Sequence, residues 1–340
     1  SYLGEKHAHN LWLLAKDAVN TVKEIITTNK IDCHLKPGVA TLGFNSKEVN
    51  GLHQYADYLE KKYNYDGLEK LDHKVCSAIC GSEKYKGGIL DMNAAHLHPL
   101  RFVFGLAKAA IQAGADIFEK SEVTSLLPGK VNRTLTISGE IQSEFVVLGC
   151  NGYLGNLEQK VAAKVMPINN FIVATEPLGD RAKSVLAKDI AVADTKFVVN
   201  YFRLSNDQRL LFGGGENYSY KFPANITSTV LKQMLEIFPH LSDVKIDYAW
   251  GGTLGITMNR MPYFCRVTDT ILSASGFSGH GVGTATHAGK LLSLAINGQQ
   301  DGFNTMANIP IKSFPGGAKF KSPLLILAMS WYALRDRLGI

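Results

Sequence analysis

One stretch near the C-terminal end of the chain constrains its fold more than any other. It runs ILSASGFSGHGVGTATHAGKLL over residues 271–292. The pattern predicts a short buried strand, a tight turn, and a helix with apolar periodicity over residues 282–296. Glycines in the turn let the backbone bend sharply and approach a ligand closely, and they are Gly276, Gly279, Gly281 and Gly283. The strand before the turn and the helix after it favour a ligand site over a glycine-rich loop that binds nothing.

A helix that begins directly after such a turn has a specific electrostatic property. Its first backbone N–H groups are free, and its N-terminus carries a partial positive charge. Both suit a phosphate, or a flavin ring that becomes anionic on reduction. We therefore expect the turn to face a ligand of one of these two kinds.

The other half of a dinucleotide site is missing from the sequence. Such a domain normally opens with a strand, the motif G-x-G-x-x-G, a helix, and an acidic residue about 20 positions later. This chain begins SYLGEK and continues into a helix with apolar periodicity between Leu11 and Ile26, and it contains no G-x-G-x-x-G. We therefore expect the N-terminal mononucleotide unit to have been cut off ahead of Ser1.

Composition excludes some functions. With 340 residues the chain can bury a large core in two domains. The formal net charge of +6 is spread along the sequence. Because there is no basic stripe interleaved with aromatic residues, we expect no nucleic-acid partner. A mildly basic surface can still attract an anionic substrate.

Cysteines and hydrophobic runs indicate a compartment. The five cysteines are odd in number and mostly in apolar surroundings, which favours buried free thiols in a reducing compartment, and hence the cytoplasm. Cys76 and Cys80 have helical spacing but no second Cys/His pair beside them, so we expect no metal site. The apolar run at residues 323–334 is shorter than the roughly 20 residues that span a bilayer. We expect it to be a docked helix rather than a membrane span.

The order of segments predicts an α/β (α+β) fold. Residues 1–30, 86–156 and 263–340 are expected to form a Rossmann-like nucleotide domain whose N-terminal unit is missing. Residues 31–85 and 157–262 are expected to form an inserted substrate domain with a mixed or antiparallel sheet. Helices are predicted over residues 46–63, 72–80, 100–112 and 228–238. Alternating strands are predicted over residues 171–176, 197–204 and 209–214, with a hairpin turn at 205–208.

Four segments carry a resemblance to a known family. They are WGGTLGITMNRMPYF (250–264), GFSGHGV (276–282), FPGG (314–317) and LAMSWYALRD (327–336). With the order of units, they resemble the FAD-dependent amine and amino-acid oxidases of the D-amino-acid oxidase, glycine oxidase and sarcosine oxidase group. Within that group they are most similar to gamma-glutamylputrescine oxidases.

The resemblance implies a reaction. A hydride leaves the carbon next to an amine nitrogen, water hydrolyses the resulting imine, and oxygen or another acceptor reoxidises the flavin, with release of hydrogen peroxide when oxygen is used. No strong base is needed, because the substrate can bind as the neutral amine. Two alternatives stay open: a truncated, non-catalytic paralogue, and a related amino-acid dehydrogenase or sarcosine-type oxidase. Without the missing glycines, the chain is expected to hold FAD weakly or not at all.

The resemblance also implies site residues. Gly279, His280, Gly281 and Val282 are expected along the pyrimidine edge of the flavin, following Gly276. Val123 falls where the family contacts adenine through the backbone. Asn151 and Gly152 fall near the diphosphate. Thr253 and Leu254 stand where some relatives carry a flavin-linking cysteine, so FAD is expected to be non-covalent.

Other residues have competing interpretations. The candidate catalytic residues are His280, Arg260 and Arg203. Arg203 is either a surface residue of a strand or a ligand for a substrate carboxylate. Arg260 lies in a loop before a proline. It is expected either to be an ordinary residue of that loop or to reach the active site. His96 and His98 flank a helix start and are expected to cap it or to lie at the surface. Two roles are possible for three aromatic residues: they pack in the core, or they form the walls of an amine pocket. These residues are Tyr201, Tyr218 and Trp250.

Overall fold

A computed structural model of the chain describes residues 3–217 and 222–315. These residues form two compact units. Unit 1 comprises residues 3–33, 99–168 and 253–315, and unit 2 comprises residues 34–98, 169–217 and 222–252. The assignment of a cofactor role and a substrate role to such units stays a prediction.

The secondary structure is mixed α/β, as predicted. The helices are α1 Gly4–Thr28, α2 Ser46–Tyr63, α3 His73–Ile79, α4 Pro99–Gln112, α5 Gln159–Ala162, α6 Ile226–Ile237, α7 Gly281–Ile296 and α8 Asp301–Ala307. The strands are β1 Lys36–Gly43, β2 Leu68–Leu71, β3 Gly87–His96, β4 Val123–Leu127, β5 Asn132–Thr136, β6 Glu140–Ser143, β7 Val146–Leu148, β8 Met166–Thr175, β9 Ala191–Asp194, β10 Tyr201–Leu204, β11 Leu210–Asn217, β12 Ile246–Ile256, β13 Tyr263–Arg266 and β14 Ile271–Ser275.

Local signals set the helix starts. Asp72 accepts a hydrogen bond from the backbone N–H of Val75 at 2.8 Å and caps α3, at the start of the helix predicted over residues 72–80. Pro99 opens α4, where its missing N–H costs no hydrogen bond. Asn225 caps α6 through the N–H of Ser228. These contacts are local, although the cap at Asn225 was not predicted and the helix after it begins at Ile226 rather than at residue 228.

Unit 1 contains two small sheets. In one, β14 pairs in parallel with β7 and antiparallel with β13. In the other, β4, β5 and β6 form an antiparallel sheet. All five residues of β14 are buried, as predicted for the strand before the glycine-rich turn. Helix α7 then packs along α1, where His287 and Lys290 both bind Asp17, at 2.9 and 3.0 Å.

Unit 2 is built around an eight-stranded sheet in the order β12-β8-β11-β10-β9-β1-β3-β2. It is mixed, because β1 pairs in parallel with β9 and antiparallel with β3. One face buries Val173, Phe202 and Phe212 against residues of α3 and α6. This face is the hydrophobic core of the unit, and we call it the core face.

Two details differ from the predictions. The strand predicted over residues 197–204 is only Tyr201–Leu204, because Asp194 accepts hydrogen bonds from the N–H groups of Lys196 and Asn200 and holds the intervening residues in a turn. His96 is 8% exposed, so the surface expectation is wrong for it: β3 carries it into the sheet opposite Lys36. The predicted hairpin at 205–208 is confirmed, since Ser205 and Arg209 bond across it.

Membrane, metal and thiol features were also predicted from the sequence. Among residues 3–217 and 222–315, no helix is both long and apolar enough to cross a bilayer. In the same residues, no group of three or more His, Cys, Asp or Glu could hold a metal ion. None of the five cysteines, all of which lie in the described residues, forms a disulfide, and four of them are buried. The helix predicted at 323–334 and Tyr218 lie outside the described residues.

Candidate functional site

The parallel pair β7 and β14 brings two predicted segments together. Parallel strands end at the same edge of a sheet, so the residues after Leu148 and after Ser275 meet there. The N–H of Gly276 donates to Asn151 Oδ1 at 2.9 Å. Asn151 itself adopts a positive φ of 47°. The structure therefore joins the predicted diphosphate residues to the predicted flavin loop.

A third segment, at the end of β12, completes the arrangement. Gly255 lies so close to Asn151 that a Cβ at Gly255 would overlap the Asn151 side chain. A Cβ at Gly152 would lie 2.7 Å from the carbonyl oxygen of Leu254. The N–H of Ser278 donates to the carbonyl of Gly255 at 2.9 Å. We call residues 151–152, 254–257 and 276–281 the loop cluster.

Periodicity and spacing did not predict this third segment as part of the site, and only the resemblance associated Thr253 and Leu254 with the flavin. The segment lies about a hundred positions from Asn151, and nothing local shows that the two segments meet. In the residues themselves the available signal was the pair of glycines Gly152 and Gly255, because each allows the other segment to approach its backbone closely.

The loop cluster presents the N-terminus of α7. His280 is the N-cap residue, and its side chain makes no capping hydrogen bond. The turn before it uses positive φ at Gly276 (73°), Ser278 (51°) and Gly279 (90°). A Cβ at Gly279 would meet nothing within 4 Å, and one at Gly281 would touch only Phe277, at 3.9 Å. The first turn of α7 therefore offers backbone donors and positive charge to open space.

His280 and Val282 lie at this opening. Nδ1 of His280 lies 3.2 Å from the carbonyl of Ser278. Because a carbonyl can only accept, Nδ1 is the donor in this contact. The side chain of Val282 is 44% exposed. Both residues are thus accessible beside the free N–H groups.

Val123 and Arg260 also belong to unit 1. Val123 begins β4 and pairs with Thr136 of β5. Arg260 is exposed in the turn after β12, with a φ of 60°, and its N–H donates to the carbonyl of Thr257 at 3.1 Å. Thr257 is part of the loop cluster, so Arg260 lies three residues from it along the chain. The roles of Val123 at adenine and of Arg260 in catalysis stay predictions.

Arg203 lies in unit 2, on the sheet face opposite the core face. Its neighbour Phe202 points into the core, whereas Arg203 and Tyr201 share the other face. Arg203 is partly buried, and burial lowers its pKa while the charge of Asp189 raises it. The Tyr201 hydroxyl donates to Asn170, and its ring covers Gly213. Arg203 is therefore partly shielded from water rather than fully exposed at the surface.

Comparisons with known proteins identify the family. The family described as FAD dependent oxidoreductase (DAO) matches residues 1–294 of this chain. The chain belongs to this family. The resemblance, the mixed α/β fold class and the class of enzyme inferred from the sequence are thereby confirmed: it is a DAO-family, FAD-dependent oxidoreductase.

Individual relatives agree. The chain is 38% identical over 336 residues to a probable oxidoreductase OrdL of Rhizobium meliloti (strain 1021), covering 98% of this chain and 78% of that protein. It is 35% identical over 322 residues to the gamma-glutamylputrescine oxidoreductase of Escherichia coli (strain K12), covering 94% and 75%. A solved glycine oxidase from Geobacillus kaustophilus superimposes with a TM-score of 0.71 at 18% identity, covering 84% of this chain and 78% of that chain. Nothing in these comparisons supports the alternative of a non-catalytic paralogue.

Proposed function

We propose that the protein oxidises the C–N bond of an amine or amino acid, with gamma-glutamylputrescine or a related primary or secondary amine as substrate. The observation that carries this is the loop cluster in front of the uncapped start of α7. Two of the similar proteins are named for amine-bearing compounds, one as a gamma-glutamylputrescine oxidoreductase and one as a glycine oxidase, which supports this substrate class.

The residues present fit the flavin end of FAD. An isoalloxazine ring needs backbone donors and room for its edge, and both are found where a Cβ at Gly279 or Gly283 would meet nothing. In this proposal Gly279, His280, Gly281 and Val282 hold the ring edge, Asn151, Gly152 and Gly276 lie toward the diphosphate, and Val123 contacts adenine. FAD, when bound, supplies the hydride acceptor for the amine carbon.

We propose that FAD is held without a covalent bond. Thr253 and Leu254 offer no thiol or imidazole at the segment before Gly255. Cys265 is 7% exposed in the core of unit 1, and burial raises its pKa, so its thiolate is disfavoured. Burial also raises the pKa of Cys150. Acid precipitation of the FAD-loaded protein should therefore leave all flavin in the supernatant, and a yellow pellet would contradict this.

The chain's own groups have two tasks in the reaction. The N–H groups and the dipole of α7 stabilise negative charge at the ring edge, which favours hydride transfer. Arg203, partly desolvated, is suited to bind a substrate carboxylate, and Arg260 is a second candidate for that role. Neither task requires a strong base, because the amine binds in its neutral form. Cysteines without disulfides support a reducing compartment, and we propose the cytoplasm.

Anaerobic mixing of the FAD-saturated protein with candidate substrates tests the proposal. We expect gamma-glutamylputrescine or a related amine to bleach the flavin absorbance, and air to restore it with release of hydrogen peroxide. Restoration only by an artificial dye would instead favour a dehydrogenase. Loss of bleaching by Arg203→Gln with carboxylate-bearing amines, but not with simple amines, would assign that residue. Bound flavin that no amine or amino acid reduces would contradict the proposal.

A further inference from the structure

Unit 1 contains a cavity that is separate from the loop cluster. Its volume is about 590 Å³, and it is bounded by β13, the end of α5, α8 and residues 308–312. This volume lies within the range of about 300–1,000 Å³ that is typical of small-molecule sites. None of the residues of the loop cluster lines it. The proposed flavin site therefore does not account for the cavity.

The charges around the cavity have one sign. Four cationic side chains line it, and no aspartate or glutamate does. The cations are Lys160, Lys164, Arg266 and Lys312. Glu158 is close by, but its two carboxylate oxygens accept the N–H groups of Lys160 and Val161 and so cap α5. In the described part of the chain none of the four cations forms an ion pair, so the cavity favours an anion.

Three of these cations are held in place. Nζ of Lys160 donates to the carbonyl of Arg266 at 2.6 Å. Nζ of Lys164 lies 4.7 Å from the centre of the Tyr263 ring, and the Arg266 guanidinium lies 5.2 Å from the centre of the Phe303 ring. Such contacts fix the direction of long side chains before a ligand arrives, which lowers the entropy cost of binding.

Arg266 also has an unused donor. Nη1 donates to the carbonyl of Asp269 at 3.2 Å, whereas Nη2 is buried and has no hydrogen-bond partner among the described residues. A buried donor without an acceptor is unfavourable, and a charged oxygen is its strongest partner. Because Nη2 has almost no accessible surface, an oxyanion reaches it only when the Arg266 side chain turns toward the cavity.

Apolar groups form much of the rest of the wall, together with Asn304 and Asn308. Tyr263, Phe303, Ile309 and Ile311 line the cavity together with the cations. A bare oxyanion would contact only the charged part. We propose that this cavity binds a small organic phosphate, with the phosphate at Lys164, Arg266 and Lys312 and the organic group beside Pro310, which is exposed.

Calorimetry of the FAD-saturated protein with phenyl phosphate tests the proposal. We expect saturable binding of one molecule per chain, tighter than that of inorganic phosphate and absent for benzyl alcohol, which lacks the dianion. Arg266→Gln should weaken binding by about tenfold or more, as for the loss of a charge-assisted hydrogen bond. The matched control is Arg133→Gln, which removes an exposed guanidinium of unit 1 that already pairs with Glu140 and should change nothing.

Several outcomes would overturn the proposal. One is the absence of saturable binding. Another is binding that appears only without FAD and is displaced by it, since that would assign the probe to the phosphate site of the cofactor. If Arg266→Gln does not fold, Lys312→Gln decides, because Lys312 is exposed and the fold does not depend on it. Unchanged affinity in that variant would also overturn the assignment.

Discussion

The core face of unit 2 is filled by side chains, whereas the loop cluster of unit 1 is built from backbone. Phe202 lies between Phe212 and Phe238, with ring centres 5.7 and 5.1 Å away. In the loop cluster, Gly152 and Gly255 let two segments approach so closely that a methyl group would not fit. The first arrangement stabilises a fold, and the second prepares a surface for a ligand. Each therefore responds differently to substitution.

The largest expected effect is on the core face. Phe202→Ala should lower the free energy of unfolding by about 3–5 kcal/mol, because it removes apolar area and leaves a cavity. Chemical denaturation of the FAD-free protein measures this. Ile137→Ala, at an 89% exposed position, is the control and should change stability by no more than about 0.5 kcal/mol. Equal effects of the two variants would contradict the described core.

Close approach in the loop cluster gives the next effect. Gly255→Ala should push Asn151 away from Gly276 and cost about 1–3 kcal/mol of stability, as overpacking does. It should also weaken FAD binding, because the two segments no longer meet correctly. Thermal unfolding and FAD titration together measure both effects. Gly252→Ala is the control, since a Cβ there meets nothing within 4 Å. A stable Gly255→Ala protein with unchanged FAD affinity would refute the arrangement.

A substitution at Gly281 distinguishes an effect on FAD binding from an effect on folding. It does not adopt a positive φ, and a Cβ there only touches Phe277, so the fold does not require glycine. Gly281→Val should therefore leave the unfolding temperature of the FAD-free protein nearly unchanged. It should weaken the free energy of FAD binding, or raise the activation free energy of flavin reduction, by at most about 2–4 kcal/mol. One or two aligned donors in a shielded site contribute this amount.

Gly289→Val is the matched control for Gly281→Val. It places the same residue on an exposed position of α7, more than two turns from the helix start. Its FAD affinity should equal that of the parent. A Gly281→Val protein that melts well below the parent without flavin would show instead that Gly281 serves the fold.

The smallest effect concerns pH. Burial lowers the pKa of both His96 and His287, although Asp17 partly raises that of His287. As the pH falls, these two histidines therefore become protonated at a higher pH in the unfolded chain than in the folded chain. Stability should be full above a pH of about 6.5, the ordinary pKa of histidine, and should fall as the pH drops below it. His96→Gln should reduce this fall in the unfolding temperature between pH 7 and pH 5, and an identical fall would contradict the burial of His96.

The sequence predicted what depends on neighbouring residues. The strand, turn and helix at residues 271–296 follow from periodicity and glycine spacing, and the cap at Asp72 follows from one side chain. It did not predict contacts between distant segments. The approach of Gly255 to Asn151, the burial of His96 and the bond from Lys160 to Arg266 each depend on strand pairing that no local pattern specifies.

Hydrogen exchange of backbone amides, measured with and without FAD, tests the central claim most directly. The account predicts that FAD protects the amides of residues 279–283 and of residues 151–152. It also predicts that the strands of the core face, already slow to exchange, change little. Protection confined to unit 2, or no protection at the start of α7 when FAD is bound, would contradict the assignment of the loop cluster as the flavin site.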